Sequence, residues 1–106
     1  MPGSQDYASD PRNESVLIYL NGALVPRDEA KVSIFDAGFV LGDGVWEGVR
    51  LHKGALVFLD AHLDRLFWGA KEIALDIGLS RDEIVAALWT TLDASKMSDG
   101  VHIRLM

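Results

Sequence analysis

The sequence predicts an α+β domain in which an antiparallel sheet of hairpins carries two helices packed on one face. Three observations predict it. Two hairpin signals come first, at Asn21-Gly22 and Lys53-Gly54. Two amphipathic helical patterns follow, between Asp60 and Leu92. Strands and helices do not alternate one for one, as a parallel sheet would require. With 106 residues, 49% of them hydrophobic, the chain can fill one core but not two.

Residues 1–15, with Pro2, Gly3, Ser4, Pro11 and Asn13, read as a flexible tail because no apolar run anchors them. The folded domain is expected over residues 16–106. Residues 16–20 and 23–25 form the arms of the first hairpin, since Asn21-Gly22 supplies the positive φ angles of a tight turn, and Pro26 ends the second arm or confines it to an edge. The second hairpin runs over residues 44–52 and 55–59. Its first arm places Val45, Glu47, Val49 and Leu51 on one face and Trp46, Gly48, Arg50 and His52 on the other, so that one face belongs to a core and the other to something else.

Asp60 is the expected N-cap of a helix whose buried stripe is Leu63, Leu66, Phe67, Ala70, Ile73, Ala74 and Ile77, ended by Gly78. Ser80 and Glu83 form a capping box for a second helix that buries Ile84, Val85, Leu88, Trp89 and Leu92. Asp99-Gly100 then turns the chain into a strand over residues 101–106. A sequence that stops within a strand reads as cut before its fold is finished.

Composition narrows the function. A net charge of −6 repels nucleic acid and anionic membranes at long range, leaving small molecules and other proteins as partners. Without Cys there is neither disulfide nor thiolate chemistry, which fits a cytoplasmic setting, and His52, His62 and His102 are too scattered for a metal site. The first fifteen residues lack the apolar run of a signal peptide, and no stretch has the length of a membrane span. Asn13-Glu14-Ser15 matches the glycosylation pattern by coincidence.

Few residues point to chemistry. Gly42-Asp43-Gly44 with Gly48 is not a dinucleotide fingerprint, because its third Gly comes one place late and the run enters a strand. These glycines either let a loop turn sharply or let backbone approach a ligand. Arg65 has no acid three or four places away, where Ala61, His62, Trp68 and Gly69 stand, so its helix offers it no partner. It lies on a flank shared with His62 and Gly69, where the small Gly69 leaves room for another surface. A guanidinium so placed suits a phosphate or carboxylate; an ordinary solvated Arg is the alternative. Trp46 and Trp68 both point off their core faces, as interface or pocket aromatics do. Glu47, on the core face, needs a partner if buried, and a structural role is its plainer reading.

Residues 36–50, DAGFVLGDGVWEGVR, together with His62-Leu63-Asp64-Arg65-Leu66, closely resemble the N-terminal domain of the class IV (fold type IV) pyridoxal-phosphate aminotransferases. That family holds branched-chain and D-amino acid aminotransferases, (R)-amine transaminases and aminodeoxychorismate lyases. The resemblance runs from about Val16 to Met106 and is nearest the branched-chain group. It implies that the cofactor is pyridoxal 5'-phosphate, that Arg65 holds its phosphate, and that Leu41, Trp46 and Gly48 line the substrate pocket. It further implies a missing C-terminal domain supplying the lysine that carries the cofactor, a homodimer, and no catalytic residue within this chain, whose Lys31, Lys53, Lys71 and Lys96 match no family position for that lysine. Many relatives have Tyr where Leu41 stands and Phe or Tyr where Trp46 stands. A missing phenol removes a donor that could meet a substrate carboxylate, so a preference for ordinary amino acids is not carried over. The implied reaction moves an amino group between an amino acid or amine and a 2-oxo acid. A lyase of the same family is the alternative among enzymes, and a non-catalytic fragment or binding module the alternative outside them.

Overall fold

Asn21 and Gly22 take φ of 51° and 88°, the positive pair that a two-residue hairpin turn needs. Strands β1 (Leu17–Leu20) and β2 (Ala23–Pro26) therefore pair antiparallel, with Leu17 opposite Pro26 and Leu20 opposite Ala23. Pro26 is tolerated because this sheet has only two strands and its missing N–H costs no inner ladder bond. The structure, a computed structural model, describes residues 9–106.

Part of the segment expected as a flexible tail takes local structure. Pro11–Ser15 form a 3₁₀ turn capped by the Asp10 carboxylate, which accepts from the Arg12 backbone N–H at 2.9 Å. The Arg12 side chain reaches the carbonyls of Asp99 and Gly100 at 2.8 and 3.1 Å, so one cation ties the segment to the turn before the last strand. Residues 1–8 of the expected tail lie outside the described residues.

After a 3₁₀ turn at Arg27–Glu29 and a one-turn helix, α1 (Ala37–Val40), the chain enters β3 (Glu47–His52), three residues later than the alternation predicts. Lys53 and Gly54 turn it, at φ of 47° and 80°, into β4 (Ala55–Leu56). The expected longer arm stops there. Phe58 takes φ 54° and becomes the N-cap of α2 (Leu59–Glu72), so Asp60 is no cap but a first-turn acid favoured by the helix dipole.

The helix also ends sooner than its apolar spacing predicts. Ala74 adopts φ 55°, and the N–H groups of Ala74 and Leu75 fold back onto the carbonyls of Lys71 and Ala70 at 3.1 and 2.8 Å. Ile73 is thereby left exposed, while Ile77 still reaches the core from the loop. The second helix, α3 (Arg81–Ala94), begins as expected: the Glu83 N–H donates to Ser80 Oγ at 3.1 Å and the Ser80 N–H to Glu83 Oε1 at 3.0 Å. Ser80→Ala should cost about 1 kcal/mol in urea unfolding, the ordinary loss of such a cap.

Strand β5 (Val101–Leu105) pairs antiparallel with β3, from Glu47 opposite Leu105 to Leu51 opposite Val101, giving the order β4-β3-β5. Both helices cover one face of this sheet. Leu63 and Leu66 of α2 and Ile84 and Leu88 of α3 meet Val45, Leu56, Ile103 and Leu105; Leu92 and Met97 close over Leu51. The two hairpins thus form separate sheets, with β1 fastened to the end of α3 where the Leu17 N–H donates to Ser95 Oγ at 3.1 Å. Among the described residues no helix is long and apolar enough to cross a membrane.

Candidate functional site

Glu47 is the one charged side chain on the buried face of β3, and it is only 4% exposed. The first turns of α2 run past the start of that strand, and His62 and Arg65, three residues apart, fall on the flank that meets it. Arg65 Nε donates to Glu47 Oε2 at 2.8 Å and more loosely to Oε1 at 3.1 Å, while Nη2 donates to Oε1 at 2.7 Å. His62 Nδ1 lies 2.7 Å from Oε1. An ionised carboxylate only accepts, so this nitrogen carries the proton. Arg65 holds the Glu47 carboxyl below the usual carboxylate range by hydrogen bonding; burial opposes this, and His62 adds to the lowering.

This geometry corrects the reading of Arg65 as a guanidinium without a partner. The helix indeed offers none, but β3 does, and the partner that Glu47 was expected to need is this same Arg. The side chain is nonetheless 68% exposed, and among the described residues its Nη1 makes no hydrogen bond. The flank at Gly69 is half-buried, and a Cβ there would meet Val45 Cγ1 at 3.4 Å, so this domain fills part of it. One edge of the guanidinium is therefore held within the domain, and the other faces outward.

The opposite face of the sheet gathers a second group. Trp46 is 56% exposed, and Arg104 stacks over its ring with Cζ 4.6 Å from the centroid. Gly48 sits opposite Arg104 in the β3–β5 register. A Cβ on Gly48 would come within 2.7 Å of His102 Cε1 and 3.0 Å of Nε2, so the room this glycine leaves is filled by an imidazole of the same domain. Sequence reading missed His102 and Arg104. Alternation along residues 101–105 puts both on the outer face, but only the register shows that they meet Gly48 and Trp46. Leu41 caps α1, is 71% exposed and lies outside both core clusters, in a segment where Ile34, Phe35, Phe39 and Val40 are exposed as well.

Chemically, the two faces flanking β3 each present exposed guanidinium groups, Arg65 on one side and Arg50 and Arg104 on the other, and an uncovered apolar segment leads into that strand. Among the described residues no cluster of His, Asp and Glu could hold a metal ion. The chemistry of such an arrangement suits anions and apolar surface.

No family model matches the chain. It is 44% identical over 95 residues to the branched-chain-amino-acid aminotransferase-like protein 1 of Arabidopsis thaliana, covering 90% of this chain and 17% of that protein. It is 39% identical over 83 residues to the D-alanine aminotransferase of Bacillus licheniformis, covering 78% of this chain and 29% of that one. Among solved structures, the branched-chain aminotransferase of Thermoproteus uzoniensis with norvaline superposes with a TM-score of 0.77 at 32% identity, covering 85% of this chain and 32% of that one. A T.th. branched-chain amino acid aminotransferase complexed with N-(5'-phosphopyridoxyl)-L-glutamate gives 0.76 at 29% identity, covering 85% and 31%. The chain thus spans less than a third of the length of each of these relatives.

Proposed function

We propose that this chain, a homologue of the N-terminal portion of the fold type IV branched-chain and D-alanine aminotransferases, forms the small lobe of a pyridoxal-phosphate aminotransferase in which Arg65 receives the cofactor's phosphate. The observation that carries this reading is the outward edge of the Arg65 guanidinium, held at the start of β3 and open to solvent. It fits a phosphate, because that edge can still donate two parallel hydrogen bonds to an oxyanion. When bound, pyridoxal phosphate supplies the electron sink through which an amino group passes between an amino acid and a 2-oxo acid.

The outer sheet face is the proposed substrate side. Trp46 offers an apolar wall, Arg104 a fork for a carboxylate, and His102 rather than bare Gly48 backbone forms the floor between them. Leu41 and its exposed apolar neighbours are the proposed rim, covered by the remaining lobe or by a second subunit of a homodimer. The lysine that carries the cofactor is proposed to lie outside these 106 residues. Lys53 sits in the turn at the far end of β3 from Glu47, roughly 20 Å away at the rise of a strand, and Lys96 follows the C-terminus of α3. A cytoplasmic setting, in keeping with the absence of Cys, belongs to the same proposal.

The test is amino-group transfer by the full-length chain, with branched-chain L-amino acids and with D-alanine as donors and 2-oxoglutarate as acceptor. Transfer from either donor class is expected, together with the absorbance of bound cofactor. Absence of both transfer and cofactor would remove the enzyme reading in favour of a binding module.

A further inference from the structure

We propose that Glu47 is a positioning residue: its buried carboxylate holds Arg65 by one edge so that the other edge is aligned in advance for a phosphate. The inference rests on the reading of Arg65 given above and adds to it the group that sets its geometry.

A guanidinium has two edges that can donate in pairs, one made by Nε and Nη2 and the other by Nη1 and Nη2. Glu47 occupies the first, at 2.8 and 2.7 Å. What remains for an outside anion is the end-on pair. An exposed Arg side chain otherwise samples many rotamers, whose loss a ligand must offset; here folding has already removed that freedom. The carboxylate is itself held. It grows from the central strand of its sheet, and His62, whose side chain is only 22% exposed, donates to Oε1 at 2.7 Å.

Stability alone does not account for a charge at this position. Val45, Val49 and Leu51 make the rest of the core-facing row apolar, and a buried carboxylate costs desolvation that a pair with an exposed Arg recovers poorly. A hydrophobic residue would serve the core as well. The charge is explained if its task is to aim Arg65. Glu47 and Arg65 also cancel in net charge, so any gain in phosphate binding must come from directed hydrogen bonds rather than from field strength.

That cancellation makes the proposal testable by sign. Glu47→Gln keeps the shape of the side chain and removes the negative charge, which on field strength alone should tighten phosphate binding. A positioning role demands the reverse, because the amide turns an N–H toward the guanidinium and releases it. In the full-length chain, affinities for pyridoxal phosphate and for pyridoxal, which lacks the phosphate, are compared by absorbance titration. The preference for the phosphorylated form should fall about tenfold in Glu47→Gln, the scale of one charge-assisted hydrogen bond. A general loss of folding would weaken both ligands alike and leave the preference unchanged.

Arg65→Ala is the reference arm. If it leaves the preference intact, phosphate does not sit at Arg65 and the underlying reading fails. If it abolishes the preference while a Glu47→Gln protein that keeps its affinity for pyridoxal leaves the preference unchanged or raises it, the positioning role alone is overturned. Should Glu47→Gln not fold, Glu47→Asp decides, since its carboxylate keeps the charge but is one methylene too short to hold the guanidinium and should show the same fall.

Discussion

Arg65→Ala in the full-length chain is expected to weaken retention of pyridoxal phosphate by about a hundredfold, measured as the increase in its dissociation constant. Two charge-assisted hydrogen bonds from the outward edge would be lost, together roughly 3 kcal/mol, and about 1.4 kcal/mol corresponds to each factor of ten. The substitution also leaves Glu47 with His62 as its only side-chain partner among the described residues. Arg65→Lys separates these effects. An ammonium restores charge near the phosphate but has no planar fork with which to serve carboxylate and phosphate at once, so retention should recover only in part. Full retention in both variants would move the phosphate elsewhere on the protein.

Much of the fold was legible because local chemistry decides it. Asn21-Gly22, Lys53-Gly54 and the Ser80–Glu83 capping box work within a few residues, and each stands where its spacing puts it. What local reading could not see came from contacts across the chain. The polar stretch ending at Ser15 has no apolar anchor of its own, yet Arg12 docks on carbonyls 87 and 88 residues away. The end of α2 went unrecognised because Ile73, Ala74 and Ile77 continue the helical spacing, whereas Ala74 takes a left-handed conformation that spacing does not encode.

The candidate site followed the same division. Helical spacing correctly excluded an acidic partner for Arg65 on α2, and strand alternation correctly put Glu47 on the core face. Neither period relates one element to another, so the pairing of the two residues was invisible until α2 lay against β3. The same holds for His102 over Gly48 and Arg104 over Trp46, which depend on the register between β3 and β5. Helical spacing singles out Arg65, strand alternation places Trp46 and Gly48 on the outer face, and the family resemblance assigns them roles; the structure supplies the residues that surround them.

Leu51→Ala should be the most damaging change to the core while sparing this site. Leu51 has no exposed surface and packs in one cluster with Leu92 and Met97, against Val16, Leu56, Trp89, Val101 and Ile103. It therefore joins all three strands of the larger sheet to α3 and to the segment before β1. Truncation removes apolar contacts on every side, and the surrounding sheet and helix cannot both collapse into the space, so a loss of about 3 kcal/mol is expected. For a domain of this size that corresponds to a fall in Tm of roughly 12–24 °C in thermal unfolding. Leu51 lies on the same face of β3 as Glu47 but roughly 13 Å further along the strand, beyond direct contact with Arg65. The preference for pyridoxal phosphate over pyridoxal should consequently stay unchanged at temperatures where the variant is folded. A Leu51→Ala protein that lost this preference along with its stability would show that the guanidinium is held by the core as a whole, and the special part given to Glu47 would have to be withdrawn.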